Sequence, residues 1–171
     1  LQDKLGAKNA AAFDVLAACA GSMFALSVAE KFLRAGTVKR ILVVGAETLS
    51  VITNWTDRST CVLFGDAAGA FVVEAGPEEG PGLIDTAVYS DGSTWQHLYI
   101  PAGGSKKPLT PELLAARQDR LIMNGREVYK IAVRSLVDAA RKILEKNGLT
   151  ANDIDLVVAH QANLRIIEAV A

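Results

Sequence analysis

Two runs of consecutive apolar residues, Ile41-Leu42-Val43-Val44 and Ala70-Phe71-Val72-Val73, constrain the fold most, because neither alternates with polar residues. A strand with one wet face shows a period of two, so an unbroken run predicts a strand covered on both faces. A third apolar run, residues 13–17, leads into Cys19-Ala20-Gly21-Ser22. After it, Met23, Leu26, Phe32 and Leu33 recur at helical spacing, with Glu30, Lys31 and Arg34 between them. That order predicts strand, tight turn and helix, with Gly36 as the helix stop. Between the two long runs, Thr56-Asp57-Arg58-Ser59-Thr60 is polar and suits an ordered loop or a short helix start.

The cluster Gly76-Pro77-Glu78-Glu79-Gly80-Pro81-Gly82 is the clearest punctuation in the chain and predicts a boundary between two halves, residues 1–76 and 77–171. A new strand is expected from Leu83, ended by Asp91-Gly92-Ser93, and Gly103-Gly104-Ser105-Lys106-Lys107-Pro108 reads as a surface loop. From residue 125 to 147, Val128, Ile131, Ala132, Leu136, Ala139, Ala140, Ile143 and Leu144 trace one helix face, stopped by Gly148. Thr150 and Asp153 have capping-box spacing, a strand is expected over residues 155–159 up to His160, and a helix restarts from Asn163. Strands and helices alternate in both halves, which predicts an α/β fold with mixed or parallel sheets. One arrangement recurs: strand, reactive residue, helix, once at Cys19 and once at His160.

Composition excludes several function classes. Lys and Arg total 18 against 19 Asp and Glu, so no basic field exists to hold a phosphate backbone, and nucleic acid is not an expected partner. No apolar run approaches the roughly 20 residues that span a bilayer, and the first residues lack a secretory pattern, so the chain reads as cytoplasmic with no membrane partner. The two cysteines, Cys19 and Cys61, form no CxxC pair and have no His at metal-ligand spacing, which argues against a disulfide framework or a metal site. Leu1 is not an initiator Met and Ala171 falls inside an apolar run, so the chain reads as a fragment of a longer protein.

Cys19 falls where a strand hands over to a helix N-terminus, and free backbone N–H groups and the helix dipole there suit a nucleophilic sulfur. Its small neighbours Ala17, Ala18, Ala20 and Gly21 leave room for a thioester and let a backbone N–H reach the thioester oxygen. A buried cysteine serving as a small hydrophobe is the competing reading, and it is the only one Cys61 supports. His160 ends an expected strand, at the sheet edge where α/β enzymes gather functional groups, although a satisfied core histidine is equally compatible. His97 has weaker support and reads as structural or surface. Gly65-Asp66-Ala67-Ala68-Gly69 lacks both the Gly-Lys-Ser/Thr ending and the dinucleotide spacing, so close backbone packing is its expected role.

The strings Ala12-Phe13-Asp14-Val15, Ala17-Ala18-Cys19-Ala20-Gly21, Asp57-Arg58 and Phe64-Gly65-Asp66-Ala67-Ala68-Gly69-Ala70 closely resemble the β-ketoacyl-acyl-carrier-protein synthase III family. Asn124-Gly125-Arg126-Glu127-Val128-Tyr129-Lys130 and His160-Gln161-Ala162-Asn163-Leu164-Arg165-Ile166-Ile167 resemble its later motifs, in the same order. The resemblance implies a thiolase-like fold of two related α/β halves in an αβαβα layering, built as a homodimer. Residues 1–76 would be the later part of the nucleophile-bearing half, and residues 77–171 the earlier part of the half with the catalytic His. It implies an acyltransferase that initiates fatty-acid synthesis without a cofactor: acyl-coenzyme A acylates Cys19, and the acyl-enzyme condenses with malonyl-acyl carrier protein.

By the same resemblance His160 donates a hydrogen bond in the condensation step. Arg58 would meet the adenine end of coenzyme A, Leu63 and Phe64 would wall the acyl pocket, and Met123 and Gly125 would line the pantetheine channel. Asn163 would assist at the substrate site, while Lys130 and Arg165 would face the carrier protein. The family's third catalytic group, an Asn, would follow Ala171 and is not Asn163. Ser22 departs from the pattern, which has an aromatic residue there, and this leaves the acyl preference open. A related condensing enzyme of polyketide or hydroxymethylglutaryl-coenzyme A type, or a non-catalytic binding fragment, is the alternative.

Overall fold

The computed structural model describes residues 1–77 and 80–171. Glu78 and Glu79, within the expected boundary between halves, lie outside the described residues.

Helix α1 (Gly21–Arg34) follows directly on a 3-10 turn at Ala18–Ala20. Its end is set by a paired hydrogen-bond closure. The Gly36 N–H donates to the Leu33 carbonyl at 2.9 Å, and the Thr37 N–H donates to the Phe32 carbonyl at 3.3 Å. Gly36 takes φ +69°, which a side-chain-bearing residue adopts only under strain, so the stop read from the sequence has its physical cause here.

Strand β1 (Arg40–Thr48) pairs antiparallel with β2 (Asp66–Glu74), in register from Arg40 opposite Glu74 to Thr48 opposite Asp66. Helix α1 packs on β1, and Ala29 and Val43 are the most buried apolar side chains of this unit, at 2% and 4% exposure. Both predicted strands form, but the expectation that they are covered on both faces fails. Leu42, Val44 and Val72, on the face opposite buried Val43, are exposed, Val72 at 63%, because the sheet has two strands and α1 covers the other side. Burying one such side chain is worth about 1.5–3 kcal/mol, so this open face is a large unmet apolar surface.

In the second half, a 3-10 segment (Gly92–His97) leads into β3 (Leu98–Tyr99), and a short helix α2 (Pro111–Ala115) precedes β4 (Ile122–Met123). Strands β3 and β4 pair antiparallel, Leu98 with Met123 and Tyr99 with Ile122. The long helix α3 (Gly125–Lys146) follows, stopped as predicted by Gly148 at φ +67°. Most of its predicted apolar face is half-buried, but Leu136 and Ala140 are exposed. The Asp153 carboxylate accepts from the Thr150 N–H at 2.8 Å and its hydroxyl at 2.7 Å, completing the capping pair at the 3-10 turn Ala151–Asp153. Helix α4 (Leu164–Val170) packs against α3.

Three expected strands do not form. Residues 13–17, 83–90 and 155–159 have no strand partner, and Leu156, Val157 and Val158 are 78%, 68% and 80% exposed. Their sequences suit a sheet interior, but an extended segment becomes a strand only when a neighbour takes its N–H and C=O groups. Asp91 ends no strand; it caps the 3-10 segment by accepting from the Ser93 N–H at 2.9 Å. Mixed or parallel sheets were expected, whereas both sheets of the described residues are antiparallel pairs.

Polar contacts tie the segments across the expected boundary. Glu30, buried on α1, accepts from the Thr86 hydroxyl at 2.9 Å and binds Lys31 and Arg34. Lys31 first, then Thr86 and Arg34, hold its carboxyl below the usual range against the opposing effect of burial. Next to Thr86, Asp85 accepts from Lys146 at 2.7 Å and from the Asn147 amide at 3.1 Å, so the end of α1 is linked to the end of α3.

Candidate active site

Cys19 is exposed, in the middle of the 3-10 turn that opens α1. Ala18, just before it, takes φ +46°, in the left-handed region that costs a non-glycine residue about 1–2 kcal/mol. Strain of this kind concentrates at functional turns, and here it turns the chain so that the cysteine stands at the mouth of the helix. No residue-type signal announces it, because alanine is not a residue that favours positive φ. The strand expected before Cys19 is absent, while the turn and helix after it are present.

His160 is exposed, one turn ahead of α4. Asn163 begins that helix by accepting from the Arg165 N–H at 3.0 Å, so its carboxamide is engaged in capping. Cys19 and His160 lie on separate elements, with no hydrogen bond between them among the described residues.

Arg58 projects from a turn organised by Asp57. The Asp57 carboxylate accepts from the Ser59 hydroxyl at 2.6 Å, the Ser59 N–H at 2.9 Å and the buried Thr60 hydroxyl at 2.9 Å. These bonds, the Ser59 hydroxyl first, hold its carboxyl below the ordinary range. Half-buried Cys61 donates its N–H to the Asp57 carbonyl at 2.9 Å and belongs to the same turn. Leu63 is exposed and Phe64 half-buried just beyond it.

The structure ties the segment before this turn to the second half, which the sequence did not reveal. The Leu121 N–H donates to the Ile52 carbonyl at 2.9 Å, and the Arg120 guanidinium donates to the Val51 carbonyl. Met123 lies two positions beyond that tether, and Gly125 opens α3 behind the Asn124 cap. The His97 backbone carbonyl accepts from the Asn124 N–H at 2.8 Å, tying the end of the 3-10 segment to the start of α3. The contacts of Val51 and Ile52 join residues 51 and 52 to the segment that leads into Met123 and Gly125; they do not involve Arg58. Lys130 is exposed on α3 and paired with Glu127 at 2.7 Å, and Arg165 is exposed on α4.

The close packing expected at Gly65 to Gly69 does not occur: a Cβ at Gly65 or Gly69 would meet open space, and Gly69 stands in β2 opposite Gly45. Among the described residues no group of three or more His, Cys, Asp or Glu could hold a metal ion, and no helix is long and apolar enough to cross a membrane.

The family described as 3-Oxoacyl-[acyl-carrier-protein (ACP)] synthase III matches residues 13–92, and its C-terminal counterpart matches residues 144–171. A β-ketoacyl-acyl-carrier-protein synthase III of Syntrophomonas wolfei is 49% identical over 168 residues, covering 98% of this chain and 50% of the relative. The crystal structure of the 3-oxoacyl-acyl-carrier-protein synthase III of Aquifex aeolicus superposes with a TM-score of 0.85 at 42% identity, over 99% of this chain and 50% of that one. A priming β-ketosynthase of a polyketide biosynthetic pathway gives a TM-score of 0.84 at 38% identity, over 98% of this chain and 49% of that one. The chain therefore has the thiolase-like fold of these enzymes and spans about half the length of the curated relatives it matches. With the two family matches together covering more than half of it, the chain belongs to the 3-oxoacyl-acyl-carrier-protein synthase III family.

Proposed function

We propose that the protein containing this chain is a β-ketoacyl-acyl-carrier-protein synthase III, a cytoplasmic homodimer that starts fatty-acid synthesis by condensing acyl-coenzyme A with malonyl-acyl carrier protein. The observation that carries the reading is Cys19, exposed on a strained turn at the mouth of α1. In the first half-reaction the Cys19 sulfur attacks the acyl thioester carbonyl. The new C–S bond replaces the bond to coenzyme A, whose thiol leaves with the proton. In the second, the malonyl carboxyl leaves as carbon dioxide, and the electron pair it leaves behind forms an enolate. That enolate attacks the acyl carbon, and the Cys19 thiolate departs.

His160 donates a hydrogen bond to the malonyl thioester oxygen and stabilises the enolate. Arg58, Leu63, Phe64, Met123 and Gly125 serve the coenzyme A and acyl path, with Asn163 supporting the His160 segment. Lys130 and Arg165 steer the acidic carrier protein. Residues 1–76 and 77–171 belong to the two halves, and no cofactor takes part. The test is mass spectrometry of the full-length protein after incubation with acyl-coenzyme A. One acyl group on Cys19, absent in Cys19→Ala, is the expected result; an adduct on Cys61, or one that persists in Cys19→Ala, overturns the reading.

A further inference from the structure

Arg58 is exposed, and among the described residues it forms no ion pair. Asp57, its neighbour in the chain, is an acid that could cancel its charge, but that carboxylate is committed elsewhere. One oxygen accepts from the Ser59 hydroxyl at 2.6 Å and the Ser59 N–H at 2.9 Å, and the other accepts from the Thr60 hydroxyl at 2.9 Å. The Asp57 carbonyl accepts from the N–H groups of Thr60 at 3.2 Å and Cys61 at 2.9 Å. Ser59 and Thr60 are what hold the Asp57 carboxyl low, and Arg58 has no part in it. Thr60 is 1% exposed and fixes one end of this arrangement, while Thr53, at 2%, buries the chain on the other side of Arg58. An unpaired guanidinium thus stands on a turn closed by its own neighbours, between two buried threonines.

We propose that Asp57 is a positioning residue for acyl-coenzyme A: by closing the turn with Ser59 and Thr60 it aims the Arg58 guanidinium and keeps it unpaired for the adenine-nucleotide end of the substrate. The inference rests on the reading that Arg58 meets that end of coenzyme A. A flexible side chain on a flexible loop loses affinity in being ordered on its ligand, and a turn fixed beforehand removes the backbone part of that loss. Charge works in the opposite direction. Coenzyme A is an anion, so an aspartate beside its path repels it, and removing that aspartate for its charge alone would tighten binding. Positioning and charge therefore predict effects of opposite sign.

The test measures acylation of Cys19 in the full-length enzyme with acyl-coenzyme A and with acyl-pantetheine, which lacks the adenine nucleotide, for D57A, D57N, S59A, R58A and D57A/R58A. For D57A the expected result is a KM for acyl-coenzyme A raised about five- to tenfold, the scale of losing hydrogen bonds to a charged group, with kcat and the acyl-pantetheine reaction within about twofold. D57N and S59A should give smaller rises in the same direction, and they carry the test if D57A does not fold. In the R58A background D57A should add nothing, because the two residues act as one device. If R58A raises KM for acyl-coenzyme A while D57A leaves it unchanged or lowers it, the inference fails and the reading of Arg58 stands. If R58A itself leaves acyl-coenzyme A unaffected, that reading fails and the inference with it. Equal losses with both substrates in D57A, D57N and S59A, or a D57A effect that persists in R58A, would show that Asp57 acts on the fold rather than through Arg58, and would overturn the proposal.

Discussion

The two reactive segments are built differently. Cys19 is held by local structure: a 3-10 turn, a residue at positive φ, and a helix of 14 residues that ends at Arg34, before Gly36, and packs on β1. His160 has little of this. Like Cys19 it follows an apolar segment without a strand partner, but no turn at positive φ precedes it and the helix after it has only seven residues. A nucleophile set by a turn keeps its position through the residues next to it, whereas a hydrogen-bond donor at the end of an unpaired segment depends on chain elements distant in sequence.

Removing His160 breaks the comparison most sharply. His160→Ala in the full-length protein is expected to accumulate acyl-Cys19 while carbon dioxide release from malonyl-carrier protein falls by on the order of 10²–10³. Acyl-enzyme by mass spectrometry, set beside a decarboxylation assay, reads both steps. Collapse of acylation with decarboxylation intact would make His160 the base of the thiol and join the two segments into one device.

The turn at Ala18 offers a smaller perturbation. Glycine accepts φ +46° freely, so Ala18→Gly should keep acylation near the parent rate. A β-branched side chain there is strained further, and Ala18→Val should slow acylation or lower stability by about 1–2 kcal/mol. The acylation rate and the thermal midpoint of the two variants check this. Equal behaviour of Gly and Val would show that the turn relaxes in the complete protein.

What could be read from the sequence follows the range of the interactions involved. Gly36, Gly148 and the Thr150–Asp153 pair act within one turn of chain, and each works where its residue type predicts. The runs at residues 41–44 and 70–73 are strands because each has the other as partner. Those at 13–17, 83–90 and 155–159 carry similar apolar character without a partner, so composition alone could not separate the two cases. The family was legible because the strings around Cys19 and His160 are distinctive, and the family matches cover residues 13–92 and 144–171. Two features were not: the positive φ of Ala18, which an alanine does not advertise, and the contacts of Ile52 with Leu121 and of Glu30 with Thr86, which join residues far apart in the chain.

The smallest effect concerns the clamp between α1 and α3. Lys146, then Asn147, hold the Asp85 carboxyl down at about 2, against a reference of 3.8. A depressed carboxylate contributes stability that is fully present above its unfolded pKa and lost as pH falls through the folded one. The advantage of the parent over Asp85→Asn should therefore be constant from neutral pH to about pH 5, shrink as pH falls past 3.8 and be lost as it falls through about 2. Because Lys146 is an exposed partner, the difference in thermal midpoint should be modest at every pH. Thermal melts of the full-length pair across this range test it. A difference that widens as the solution is acidified would mean that the carboxylate is destabilising in the fold, and that the ends of α1 and α3 are held together by Glu30 and its partners rather than by Asp85.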